Sequence, residues 1–319
     1  MSLLSLDNLL RTTNADTAHD NNTTPNAGPN FSTPSLSSAA MLVELSISVW
    51  TGRKKDKRAT ADVTATNQAK SGVAAVNKKL MAECAELDAI QKFAANVRTF
   101  HYSATLPWTD TGIRCTTTAK YFAYHQQITQ LQNEFERLVN DFLSAYQWEV
   151  DKAQASLGAM FHRDDYPSID SLRNKFAFRV SYIPMPEAGD WRVDIGNEAQ
   201  QQLKEQYEQY IGDRLKQATA DVYRRCSEAV TRLINSMDWG EGEKAKRMYD
   251  STFDSVCELI DTMQDFNLTG DTTMEALRKQ LATVMDGVSL DAIRSDHALR
   301  AEKKQQLEQA MKALPSLDW

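Results

Sequence analysis

Helix breakers are scarce in this chain. Its 319 residues include 12 glycines and 8 prolines, and several prolines fall in two clusters, near residues 25–34 and 184–186. Such scarcity favours long helices. Cysteine is also sparse. Cys84, Cys115, Cys226 and Cys257 are widely spaced and form no CxxC pair, which argues against a zinc ribbon or a thioredoxin-type site. Cys84 and Cys226 sit on apolar helical stripes, where cysteine serves as a small core residue. The pattern suits a reducing cytoplasm, the expected location. No run of about 18 apolar residues offers a membrane span. The start, MSLLSLDNLLRTT, lacks the basic flank and continuous apolar core of a signal peptide. Histidine occurs five times, and no HExxH, GxSxG, Walker A or GxGxxG pattern is present, so no cofactor is implied. A basic excess is missing too: the net charge is -7. That argues against a nucleic-acid coat, which displaces counterions with cations.

What is present is ordinary for a soluble folded protein: 25% charged and 42% hydrophobic residues. Residues 11–40 are rich in Asn, Thr, Ser, Pro and Ala. Too little of that segment is apolar to offset chain entropy, so 1–40 reads as a disordered leader. Its LLSLDNLL segment is a candidate short docking helix.

MLVELSISVW (41–50) alternates, with Val43, Leu45, Ile47 and Val49 on one face and Glu44, Ser46 and Ser48 on the other. That is a half-buried strand. TGRKKDKRAT follows as a basic turn. From about residue 64 the period changes. Val73, Val76, Leu80, Leu87, Ile90 and Val97 form a nearly sustained heptad stripe, predicting one helix to about Phe100. Pro107 stops it. A second helix is predicted over about 117–161, with a phase shift after Phe142. A third runs from after Gly196 to about Met237. Three shorter ones cover about 241–266, 272–286 and 289–313, with Asp271 or Thr272 and Ser289 as caps.

Between the second and third helices lies NKFAFRVSYIPMPEAGDWRVDIG (174–196). Phe176, Phe178, Val180 and Tyr182 share one face, as do Trp191, Val193 and Ile195. The pattern predicts a hairpin over 175–195. An isolated hairpin is marginal in water. If the first two helices, each on the order of 50–65 Å long, fold back on each other, strand 41–50 and the hairpin meet.

The expected fold is therefore mainly α. It is a long antiparallel helical bundle or coiled coil, with a small antiparallel β-sheet (strand 41–50 plus hairpin 175–195) at one end. Residues 41–238 would be a three-helix stalk with a β tip, and 239–319 a region of short helices packing on it. A homo-oligomer stays open, because heptad seams look the same within and between chains.

Chemistry is thin. His162, Asp164 and Asp165 in FHRDDYPS are the candidate metal ligands, without a defined ligand spacing. The basic turn GRKKDKR, with Arg53, Lys54, Lys55, Lys57 and Arg58, suits phosphate or an acidic protein. With the hairpin tip at Pro184, Met185, Pro186 and Trp191, it makes the expected partner-binding surface.

The order of segments also carries a resemblance. LVELSISVWTGRKK precedes a long helix; FHRDDYPSIDSLRNKFAFRVSYIPMP closes another; DWRVDIG leads into a third. Over about residues 41 to 300 this resembles an uncharacterised domain family of tailed phages and integrative elements. The resemblance implies a gene neighbourhood with a MoxR-type AAA+ ATPase and a von Willebrand A-domain protein, similar to cobalt-chelatase subunits. The chain has neither the nucleotide loop nor the DxSxS motif of those partners. The implied role is a non-enzymatic adaptor, scaffold or substrate-binding subunit in the host cytoplasm. Two other readings stand beside it. One is a membrane-active or self-assembling protein with a β-tongue. The other is a metal-dependent enzyme at His162, Asp164 and Asp165.

Overall fold

The computed structural model describes residues 36–186, 197–240 and 244–315. In chain order the elements are α1 (Leu36–Ala39), β1 (Ala40–Ser48), β2 (Arg53–Asp56), α2 (Lys57–Thr66), β3 (Val76–Lys79) and α3 (Ala85–Ser103). Next come β4 (Leu106–Pro107), β5 (Arg114–Thr117), α4 (Thr118–Leu157), α5 (Ile169–Arg173) and β6 (Ala177–Pro184). The C-terminal part holds α6 (Asn197–Met237), α7 (Asp250–Phe266), α8 (Thr272–Met285), α9 (Leu290–Ser295) and α10 (His297–Met311). The protein is mainly α with a small antiparallel sheet, as the sequence predicts.

The sheet has the order β4-β5-β1-β6. β1 is an inner strand, hydrogen-bonded along both edges. It pairs with β6 over its length, Ile47 opposite Phe178 and Leu45 opposite Val180, and with β5 near its start, Leu42 opposite Cys115. The expected meeting of strand 41–50 with the first hairpin strand is present. The further strands come from 106–107 and 114–117, a stretch read from sequence only as a helix break. Trp191, Val193 and Ile195 lie outside the described residues.

The sheet divides two hydrophobic cores. Val43 and Phe178, with Leu45, Ile47, Val180 and Tyr182, face α3 and α4. Ala40, Leu42, Leu106, Cys115 and Met185 join the core of α6, α7, α8 and α10.

The sheet does not sit at a tip. β6 runs lengthwise along α4: Tyr182 meets Tyr121 at a ring-centroid distance of 5.2 Å, Phe178 meets Phe135 at 5.6 Å, and Phe176 meets Phe142 at 5.8 Å. Aromatic burial on one strand face of about 1.5–3 kcal/mol per ring is satisfied by the helix rather than by its end.

The predicted first long helix is three elements. α2 ends at Thr66, β3 follows, and only α3 continues the heptad, burying Leu87, Ile90 and Val97. The interruption lies in TATNQAKSGVAAV (64–76): Gly72 has φ +91°, and Val73 is 70% exposed, so the stripe does not run through it. α3 is 19 residues long, about 28 Å, against about 60 Å for the 40 residues of α4. Gly52 shows why the chain turns where it does. Its φ is +62°, in the left-handed region that favours glycine, and an added Cβ would lie 2.9 Å from Leu87 Cδ2 and displace that side chain.

The capping residues hold. Thr117 caps α4, accepting from the backbone N–H of Lys120 at 3.3 Å. Asp271 caps α8, and Ser289 caps α9. The last predicted helix is divided at Asp296, which starts α10 by accepting from Leu299 N–H.

A polar junction ties the two cores together. Arg225 of α6 donates to the carbonyls of Ser103, Tyr102 and Thr105 at 2.7–2.8 Å. Arg114 donates to Thr105 Oγ1 at 2.6 Å and to its carbonyl at 2.8 Å. Cations at the end of α3 satisfy its free carbonyls and its dipole.

Candidate functional site

The basic turn is a built structure. β2 and β3 form an antiparallel ribbon with Arg53 opposite Lys79, Lys54 opposite Lys78, Lys55 opposite Asn77 and Asp56 opposite Val76. Opposed residues share a face and neighbours alternate. One face therefore carries Arg53, Lys55, Asn77 and Lys79. The other carries Lys54, Asp56, Val76 and Lys78.

The inner face is a neutral charge cluster, buried at Lys78 and Asp56, nearly so at Asp165, and open to solvent at Lys54. The Lys78 ammonium lies 2.6 Å from Asp165 Oδ2 and 3.7 Å from Asp56 Oδ2, and donates to the Met160 carbonyl at 2.6 Å. Lys54 pairs with Asp165 at 2.7 Å. The Lys78 side chain is 4% exposed and that of Asp165 10%. Each ammonium thus has a carboxylate, which a desolvated charge requires. Asp56 also caps α2, accepting from the Ala59 N–H at 2.9 Å. That backbone donor, together with Lys78, holds the Asp56 carboxyl below its ordinary range against burial. Burial alone would raise Asp165; the hydrogen bonds and charges of Lys54 and Lys78 outweigh it and hold it low.

The outer face is the opposite case. Arg53, Lys55 and Lys79 are exposed, as are Lys57 and Arg58 in the first turn of α2. Among the described residues none of these five is in an ion pair within 4.0 Å. Arg53 faces Lys79 directly, a like-charge pairing that destabilises a ladder. Lys57 and Arg58 sit at a helix N-terminus, where the dipole disfavours cations.

The other candidates fare differently. Asp165 is committed to two lysines. His162 and Asp164 are exposed, and the three do not gather around a common point. Pro184 pairs with Met41 at the far end of β6, Met185 is buried in the α6 core, and Pro186 is exposed. Trp191 lies outside the described residues. The hairpin tip and the basic turn were expected side by side. They lie at opposite ends of β1, roughly 25 Å apart at 3.3 Å per residue, because β6 runs antiparallel to β1 along its whole length.

Two features escaped the sequence. Lys78 and Lys79 are adjacent in NKKL, and only the ribbon register shows one turned in and one out. A cleft of about 740 Å³ separates α3 and α4 from α6 and α7, with Tyr124, Lys120, Arg225, Arg232, Glu258 and Asp261 among its walls. Its charges have mixed sign. Lys120 is already held by Thr262 Oγ1 at 3.1 Å and Asp265 at 3.5 Å, so no single ligand chemistry is selected. Beside it, His101 Nδ1 is 2.8 Å from the Tyr124 hydroxyl. Burial pushes His101 down to about 4 and Tyr124 well above its ordinary value. Both stay neutral near pH 7 and serve as core polar partners. No helix among the described residues is long and apolar enough to cross a membrane.

No protein-family model, curated protein or solved structure matches this chain.

Proposed function

We propose that this chain is a non-enzymatic adaptor that docks an acidic protein surface on the outer face of the β2–β3 ribbon. The observation that carries the reading is the pairing of Arg53 with Lys79 beside Lys55, Lys57 and Arg58, all exposed and without carboxylate partners among the described residues. Such a grouping costs stability in the free protein. An anionic partner relieves that cost on binding. The inner face supplies the rigidity a docking element needs, since Lys78 and Asp165 clamp the ribbon to the turn after α4.

An acidic protein fits better than nucleic acid. A chain of net charge -7 repels a long polyanion, while a local patch still steers a compact acidic surface. The MoxR-type AAA+ ATPase and the von Willebrand A-domain protein implied by the phage and mobile-element resemblance are the first partners to try, in the cytoplasm of the host.

The test is titration calorimetry of the full chain with each purified partner, against the Arg53→Glu, Lys55→Glu, Lys79→Glu variant. Affinity should fall about tenfold or more on charge reversal, and should weaken with salt in the unaltered chain. Unchanged affinity in the variant would remove the ribbon from the interface. Failure of both proteins to bind would remove them as partners.

A further inference from the structure

Where α3 begins, it faces the C-terminal quarter of α4, and one cysteine meets two glutamates there. Cys84 is the N-cap residue of α3, Glu86 lies in its first turn, and Glu149 projects from α4. One ligand atom from each lies within 4.8 Å of the other two. Cys84 Sγ is 3.6 Å from Glu86 Oε2. Among the described residues this is the one such convergence of thiol, imidazole or carboxylate groups.

The site is buried on the protein side and has one lysine beside it. Cys84 is 1% exposed and Glu149 4%. Neither oxygen of the Glu149 carboxylate is both fully buried and without a partner. Its one charge partner among the described residues is Lys152, whose ammonium stands 3.5 Å away on a side chain 38% exposed. A buried carboxylate normally has close donors or a metal. Lys152 has other places to rest: its ammonium is 3.4 Å from the Glu83 carbonyl and 5.0 Å from the centre of the Trp148 ring. A cavity of about 10 Å³ lined by Glu149, Lys152, Leu80 and Ala153 adjoins the carboxylate, enough for one water.

We propose that Cys84, Glu86 and Glu149 bind a thiophilic divalent cation of the zinc class, with water from the adjoining cavity as a further ligand. One sulfur and two carboxylate oxygens suit zinc or cobalt and disfavour magnesium and calcium, which take oxygen alone. The metal takes a thiolate, so binding releases the Cys84 proton to solvent. Lys152 competes with the metal for Glu149 and turns toward Trp148 and Glu83 when it loses. The bound ion would join the start of α3 to α4, next to the ribbon.

The test is titration of the chelator-treated full chain with cobalt(II), followed by absorption. The expected result is one equivalent bound, with a sulfur-to-cobalt charge-transfer band that zinc abolishes and magnesium does not. Cys84→Ser should remove the band, Glu149→Gln should weaken binding by about tenfold or more, and Lys152→Met should tighten it. Cys226→Ser, in the other core, should change nothing. Glu86→Gln, at a half-buried position, weakens binding without a folding risk. An absent band at excess cobalt, or a band retained in Cys84→Ser, overturns the assignment.

Discussion

Replacing Lys78 by methionine separates the inner face of the ribbon from its clamp. The methionine keeps most of the stem's volume and removes the ammonium. In the native protein that ammonium is 4% exposed and meets Asp165 at 2.6 Å, the Met160 carbonyl at 2.6 Å and Asp56 at 3.7 Å. Removing one member of a buried pair typically costs about 3–5 kcal/mol, because the other charge is stranded. Here Asp165 keeps Lys54 at 2.7 Å, so the expected cost is about 2–3 kcal/mol. Adding Asp165→Asn removes the stranded carboxylate and should recover about 1 kcal/mol, a positive coupling between neighbours. The loss is local, so native-state hydrogen exchange of the β2 and β3 amides is the right assay. Exchange there should quicken roughly 30- to 140-fold in Lys78→Met and less in the double variant. Exchange within twofold of the native protein, or strictly additive single effects, would refute the buried clamp.

Acid should open the same element. Asp56 and Asp165 are held below their ordinary value in the folded chain, so their contribution is fully present above about pH 5. It is lost as pH falls through about 4, the unfolded value, toward the lower folded one. Asp165→Asn should flatten that dependence in exchange corrected for intrinsic rates, and an unaltered profile counts against it. Phe178→Ala empties a site that is 8% exposed against Phe135; a loss of about 3 kcal/mol is expected in urea unfolding, and a loss under 1 would show that β6 does not carry the α4 contact. Of the four free cysteines, only half-buried Cys257 should react with a disulfide reagent at pH 8 in the native chain. Cys84, Cys115 and Cys226 are buried and pushed up to about 11 or 12, so a second fast-reacting thiol would contradict this packing.

The strand 41–50 and its partner at Phe176 to Tyr182 were legible because alternation over a long stretch has one explanation, a sheet with one buried face. The long helices α4 and α6 were legible for the matching reason, a stripe sustained over many turns. The first helix was misread because Val73 and Val76 continue the spacing of Leu80 and Leu87 by chance. The positive φ at Gly72, a local fact, and the cross-strand pairing of Lys78, a non-local one, decide the matter. The same limit hid the charge cluster. Lys54 and Asp165 both stood out as candidates, for different roles, and nothing in their spacing says that they touch. Lys78 carries no signal in sequence because one of two adjacent lysines reads as solvent-facing. The placement of the sheet failed on a length: with α3 about 28 Å long, the strands lie beside the helices instead of beyond them.

The claim that the outer ribbon is the working surface is tested most directly by mapping the bound state. Hydrogen exchange of the full chain should be compared with and without the purified A-domain protein, and then the ATPase. Slowed exchange at residues 53–58 and 76–79 is the predicted footprint. A footprint confined to α6–α10, with the ribbon amides unchanged, would contradict it.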